Sequence, residues 1–252
     1  MSTFRIYRLE AKYELLKLLR LPVFAIPTIG FPLMFYVLFG LVLPAGGSNA
    51  SHASSYLLAT YGAFGVIGIA LSALGIGVAM ERGQGWLAVK RASPMPVSAY
   101  FVGKYAMTVL FAGVMVALLA TLGIAFGHVH LGAHWVSLVA VLLLGGIPFC
   151  AIGLAIGYLA GPNSAAGVVN GVYLPMAFLS GLFIPITMLP TVLRRVAPAF
   201  PPYHLGQLAL KAAGVLPAGD AWVNVAALAG FALVFSALAV VAYRRDEGKT
   251  YG

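Results

Sequence analysis

Six long apolar runs dominate the chain, at 23–43, 56–80, 105–127, 135–160, 165–184 and 221–243. Each is long enough for a helix to cross a hydrocarbon layer, which takes roughly 20 residues. The first 22 residues have a different pattern. Phe4, Tyr7, Ala11, Leu15 and Leu18 recur at helical spacing, with Arg5, Arg8 and Lys12 on the flank, while Ile6, Leu9, Tyr13 and Leu16 form a second apolar row. This predicts a helix lying in the membrane interface, with one face packed on protein. Its acidic residues and length disfavour a cleavable signal peptide.

The connection at 185–220 is still largely apolar, but it holds six of the 15 prolines and cannot form an uninterrupted span. Two short helices dipping into one leaflet, broken near Pro198, Pro201 and Pro202, fit that composition. Gly153, Gly157 and Gly161 repeat every four residues, as do Gly167 and Gly171. That spacing predicts close helix packing within the bundle rather than a dimer seam. The expected fold is an all-α integral membrane protein: a cytoplasmic interfacial helix (1–22), a six-span domain (23–243) with a long loop at 81–104 and an outer re-entrant hairpin at 185–220, and a tail (244–252).

Composition identifies the solvent. Hydrophobic residues make up 62% of the chain and charged residues 8%, with a mean hydropathy of +0.98. A soluble domain keeps about a quarter of its residues charged, so lipid must cover most of this surface. Of the 15 Lys and Arg residues, all but Arg194, Arg195 and Lys211 fall in the amino-terminal segment, the 81–104 loop or the tail. The positive-inside rule then puts both termini in the cytoplasm, consistent with an even span count and an inner (cytoplasmic) membrane location. The net charge of +9 is spread beside the spans, so it reads as a topology signal and not as a nucleic-acid surface. Cys150, the only cysteine, reads as a packing residue.

Several chemistries are disfavoured by what the spans lack. None carries Asp, Glu, Lys, Arg or His in its interior, which weakens proton-coupled transport while leaving sodium coupling through carbonyls open. Ser180 has no histidine at membrane depth to activate it as a protease nucleophile. His128, His130 and His134 share one short loop, but without a fourth ligand they read as ordinary polar residues and no metal site is expected. Gly248-Lys249-Thr250 ends like a phosphate loop but lacks both the upstream glycine and a helix to receive phosphates, so the chain does not hydrolyse ATP by itself. No catalytic residue is assigned.

The loop beginning Glu81-Arg82-Gly83-Gln84-Gly85-Trp86-Leu87 continues through Lys90-Arg91 to Ser93-Pro94, followed by Tyr100, Gly103 and Lys104. It predicts a short helix parallel to the membrane with a proline stop. With the six-span layout, it resembles the type-2 ATP-binding-cassette export permeases of the daunorubicin-resistance-like family. A second match, Leu179-Ser180-Gly181-Leu182-Phe183-Ile184-Pro185 followed by Leu189-Pro190 and Pro201, resembles that family's outer hairpin. Lys211 stands where the family more often carries Arg.

The resemblance implies a permease that binds no cofactor itself. It would work as two copies, or beside a similar permease, with two ABC ATPase subunits that hold ATP and Mg. The 81–104 loop would be the coupling helix: Trp86 and Leu87 as its apolar knob, Glu81, Arg82 and Arg91 in polar contacts with the ATPase and neighbouring helices, and Gly83, Gly85 and Pro94 shaping it. An exposed tryptophan following two glycines is costly without a partner surface. Gly181, Pro185, Pro190 and Pro201 would shape the outer hairpin.

The expected substrate path runs along Asn170, Tyr173 and Ser180 on one helix face and Tyr56, Thr60 and Tyr61 on another. Hydrogen bonding between helices explains each of these singly just as well. Lack of charge along that path points to an apolar or amphiphilic export cargo such as a drug, antibiotic or lipid, with polysaccharide or sodium export as alternatives. A stand-alone carrier or channel and a membrane-embedded enzyme remain competing classes.

Overall fold

The computed structural model describes residues 3–19, 22–44, 47, 50–92, 96–217 and 219–247. Among them there is no strand; the fold is entirely helical. Helix α1 (Thr3–Leu19) precedes α2 (Pro22–Phe35), which continues as a π-helical stretch over Tyr36–Val42. Then come α3 (Ala50–Gly83), α4 (Trp86–Ala92), α5 (Val97–Phe126), α6 (His134–Gly145), α7 (Ile147–Leu159) and α8 (Ala165–Leu179). Two short helices, α9 (Thr191–Val196) and α10 (Pro201–Ala212), lead to the long α11 (Ala221–Glu247).

Among the described residues, four helical stretches are long and apolar enough to cross a membrane: Ala50–Gly83, Ser98–Phe126, His134–Leu159 and Ala221–Asp246. Ile26–Val42 and Ala165–Leu179 are apolar but shorter. The fifth apolar run, expected to be helical to residue 184, stops at Leu179. A Schellman turn ends it there: the Leu182 N–H donates to Ala177 O, the Gly181 N–H donates to Phe178 O, and Gly181 takes φ +75°. Pro190 and Pro201 stand at the starts of α9 and α10, where a missing N–H costs nothing.

Helix α3 is the centre of the bundle: 78% of its most apolar window is buried, against 17% for α11, which turns most of its surface outward. Small residues let α7 press onto it. A Cβ on Gly157 would lie 2.6 Å from Leu74 O, and one on Gly153 would lie 3.0 Å from Ala70 O. The expectation of packing within the bundle does not extend to Gly167 and Gly171, which meet nothing within 4 Å and leave an open strip on α8. Helix α3 passes through a π-helical stretch at Ser72–Ile76, where Gly75 makes room for Val169 of α8. At 34 residues α3 is about 50 Å long, well beyond the roughly 30 Å hydrocarbon layer, so its last turn projects past the apolar slab.

Candidate functional site

That projecting turn shortens the loop expected at 81–104. Glu81 and Arg82 belong to the end of α3, Lys104 belongs to α5, and only a short connection holds α4 between them. The Glu81 side chain points toward α5 and α1. Lys104 Nζ, on a residue only 2% exposed, donates to Glu81 Oε1 at 2.6 Å and to Glu14 Oε2 at 2.8 Å. The Tyr100 hydroxyl donates to Glu81 Oε2 at 2.7 Å, and Lys90 of α4 donates to Glu14 Oε1 at 3.2 Å and to Glu10. Burial opposes the charge on Lys90. The hydrogen bond to Glu10 and the charges of Glu14, Glu81 and Glu10 outweigh it, holding the ammonium above its ordinary value of 10.5. Gly103 lets α1 approach, since a Cβ there would lie 2.9 Å from Glu10.

Arg82 turns the other way. Its Nη1 donates to Gly157 O at 2.7 Å and to Ala160 O at 3.2 Å, capping the end of α7 where orphan carbonyls gather. Its Nε donates to Asp246 Oδ1 of α11 at 3.1 Å. Glu81 and Arg82 were expected to contact neighbouring helices as well as an ATPase, and each of them does hold neighbouring helices. The next residues are shaped for a turn. A Cβ on Gly83 would meet Pro162 at 2.6 Å, and Gly85 has φ +76°, a left-handed conformation that favours glycine. Trp86 then opens α4 at 55% exposure, while Leu87 is buried against the bundle and does not share its exposed face. Pro94 lies outside the described residues, as does the side chain of Arg91.

The residues of the expected path divide. Tyr56 and Tyr61 line a cavity of about 630 Å³ at the opposite end of the bundle, with Phe35, Phe178, Phe183 and Pro185. Asn170 and Tyr173 line a second cavity of about 380 Å³, with Phe31, Phe35 and Phe64. Thr60 and Ser180 are buried and line neither. Thr60 turns its hydroxyl to Leu57 O, and Ser180 is the C-cap of α8. Between the two cavities lies a pile of rings: Phe183 meets Phe178 at 4.3 Å, Phe64 at 4.6 Å and Phe35 at 5.3 Å between centroids. Tyr173 stacks on Phe64 at 4.8 Å and donates its hydroxyl to Phe64 O at 2.6 Å. His128, His130 and His134 do not converge; among the described residues no three His, Cys, Asp or Glu side chains form a metal-binding group.

A family model for ABC-2 type transporters matches residues 7–212, most of the chain. The chain belongs to the ABC-2 type transporter family. It is also 26% identical over 239 residues to a Bacillus subtilis (strain 168) protein named "Putative transport permease YvfS", covering 93% of this chain and 95% of that one. The protein is thus a multi-pass transmembrane subunit of an ABC transporter, and its family implies pairing with an ATPase subunit.

In this ABC-2 subunit the residues that sequence reasoning missed are Glu10, Glu14, Lys90 and Lys104. All four lie in the charge-rich segments, where the lysines read as topology determinants and the acids only as evidence against a signal peptide. The signal available was the four-residue spacing of Glu10 and Glu14, which places both carboxylates on one face of α1.

Proposed function

We propose that the chain is the permease half of an ATP-driven exporter. Two copies, or one copy beside a homologous permease, pair with two ATPase subunits that supply ATP and Mg. The end carrying α1, α4 and Arg82 faces the cytoplasm of a cell whose inner membrane holds the protein, and both termini lie on that side. The two shorter apolar helices complete a six-span arrangement, and α9 with α10 forms a re-entrant hairpin in the outer leaflet. Helix α4 is the coupling helix.

The observation that carries this reading is Trp86. A large indole left 55% exposed at the head of a short helix, just beyond a glycine with positive φ, is a costly surface unless a partner covers it. The two cavities support an apolar or amphiphilic cargo, since their walls are aromatic and aliphatic and His52 is the one histidine or charged residue among them. The open strip at Gly167 and Gly171 supports a second permease chain alongside α8.

The test is purification of the tagged chain from its native membrane in mild detergent, with identification of the proteins recovered and measurement of ATP hydrolysis. An ATPase in stoichiometric amount is expected. Trp86→Ala is expected to weaken its retention about 30-fold, the effect of losing a 2 kcal/mol anchor, while leaving the permease inserted. Recovery of the permease alone, with transport intact in vesicles lacking ATP, overturns the reading in favour of a carrier or channel.

A further inference from the structure

Glu81 and Arg82 are consecutive, so their side chains leave the last turn of α3 about 100° apart. They bind two different groups of helices. Glu81 takes Lys104 and Tyr100 of α5, and through Lys104 it is joined to Glu14 of α1. Helices α1 and α5 are further held together by the Tyr7–Ser98 hydrogen bond at 2.6 Å and by the close approach at Gly103. Arg82 takes the terminal carbonyls of α7 and Asp246 of α11. Helices α7 and α11 pack along each other, and Tyr158 of α7 meets Tyr243 of α11 at 5.4 Å. Only Gly83, Gln84 and Gly85 separate this fork from Trp86.

From this geometry we infer that Glu81 and Arg82 are a split tether. They are positioning residues that turn one displacement of the Trp86 segment into a change in spacing between the α1–α5 pair and the α7–α11 pair. The inference rests on the coupling role given to α4 and adds to it the device by which movement leaves that helix. Each arm suits the task. The Glu81 arm is buried and charge-assisted, so it transmits force without slack. The Arg82 arm spreads its donors over two helices, so neither can shift without the other. A docking helix connected through flexible glycines alone would move without moving the spans; Lys90 of α4 bypasses that slack, because it bonds Glu10 and Glu14 of α1 and Lys104 joins Glu14 to Glu81.

The test uses the permease–ATPase complex recovered from the native membrane, with Cys150 replaced by Ala and spin labels at Val102→Cys on α5 and Val241→Cys on α11, both exposed positions. Distances are measured without nucleotide and after trapping with ATP and vanadate. A trapping-dependent change is expected in the labelled parent. Arg82→Met and Glu81→Gln are each expected to reduce it at least about fivefold while the ATPase stays bound, a loss on the scale of typical coupling between linked sites. Leu138→Ala, a core truncation in α6 that lowers thermal stability away from the fork, is expected to keep the change. If the parent shows no change, if both fork variants keep it, or if Leu138→Ala loses it equally, the inference is overturned. Failure to recover any ATPase with the parent would instead overturn the function proposed above.

Discussion

Lys104→Met tests the energetics of the charged end most directly. The ammonium it removes lies 2.6 Å from Glu81 Oε1 and 2.8 Å from Glu14 Oε2, in a site from which solvent is almost absent. Its loss leaves the two carboxylates facing each other across the vacated space, no further apart than those two bonds laid end to end. At roughly 5 Å and an effective dielectric of about 20, like charges repel by about 3 kcal/mol. Breaking a buried pair by removing one partner costs about 3–5 kcal/mol, because the stranded charge keeps its desolvation penalty. Lys90 still reaches Glu14, and Tyr100 still donates to Glu81, which sets the loss at the lower end, about 3–4 kcal/mol.

For a chain of this size each kcal/mol moves the midpoint by about 2–4 °C, so thermal unfolding in detergent is expected to fall by about 6–16 °C. The triple variant Lys104→Met, Glu14→Gln, Glu81→Gln removes the stranded charges with the ammonium. It is expected to return to within about 1 kcal/mol of the parent, since neutral replacement of a buried ionic cluster is often close to neutral. A Lys104→Met variant that unfolds at the parental temperature, or a triple variant less stable than the single one, would refute the reasoning.

Three further outcomes follow from local geometry. Gly181→Ala forces a Cβ into φ +75°, 3.1 Å from the Ile186 Cβ, and is expected to cost about 1–2 kcal/mol by thermal unfolding; an unchanged midpoint removes the Schellman turn from the account of why α8 stops. Gly157→Ala drives a methyl to 2.6 Å from a backbone carbonyl of α3 and is expected to cost about 1–3 kcal/mol, whereas Gly167→Ala, on an open face, stays within about 0.5 kcal/mol; equal effects would contradict the assigned seam. Lys90 is held above its ordinary 10.5, so its stabilisation is complete below that value and is lost as pH rises through the higher folded value. The stability gap between the parent and Lys90→Met should therefore stay constant from roughly pH 6 to 9 and close only in strong alkali; closure near neutrality would disprove the assignment.

The sequence made the helices legible because lipid imposes a simple demand: long apolar runs at 56–80, 105–127 and 221–243 must satisfy their backbones internally, and they do so as helices. The proline-broken connection was legible for the same reason, and α9 and α10 begin at Pro190 and Pro201. The end of the fifth run was not, because Phe183 and Ile184 are as apolar as the helix before them and only the left-handed glycine marks the stop. The exposure of Trp86 followed from its setting between glycines and charges. The partners of Glu81 and Arg82 did not, because Lys104 and Asp246 are 23 and 164 residues away and pair with them only once the helices are assembled. Thr60 and Ser180 shared a polar pattern with Tyr56 and Tyr173, but the Thr60 hydroxyl bonds its own helix and the Ser180 hydroxyl is buried without a hydrogen-bond partner among the described residues, while a tyrosine reaches the cavity wall.

The chain segregates its chemistry by depth, and that division bears on how it moves. Around the two cavities most contacts are between rings and aliphatic groups, the short bond from the Tyr173 hydroxyl to Phe64 O apart, and such apolar contacts can slide through many nearly equal packings at little cost per step. At the charged end, contacts are short charge-assisted bonds among Glu14, Glu81, Lys104, Arg82 and Asp246. Stretching any of these by an ångström forfeits most of its energy, and water cannot readily compensate the Lys104 cluster because it is buried. A force applied at Trp86 is therefore expected to pass through the charged end with its geometry intact and to be absorbed where the walls are apolar. Softening the charged end should uncouple the subunit, whereas enlarging an aromatic such as Phe35 on the cavity wall should change which cargo passes without loosening the grip of α3 on its neighbours.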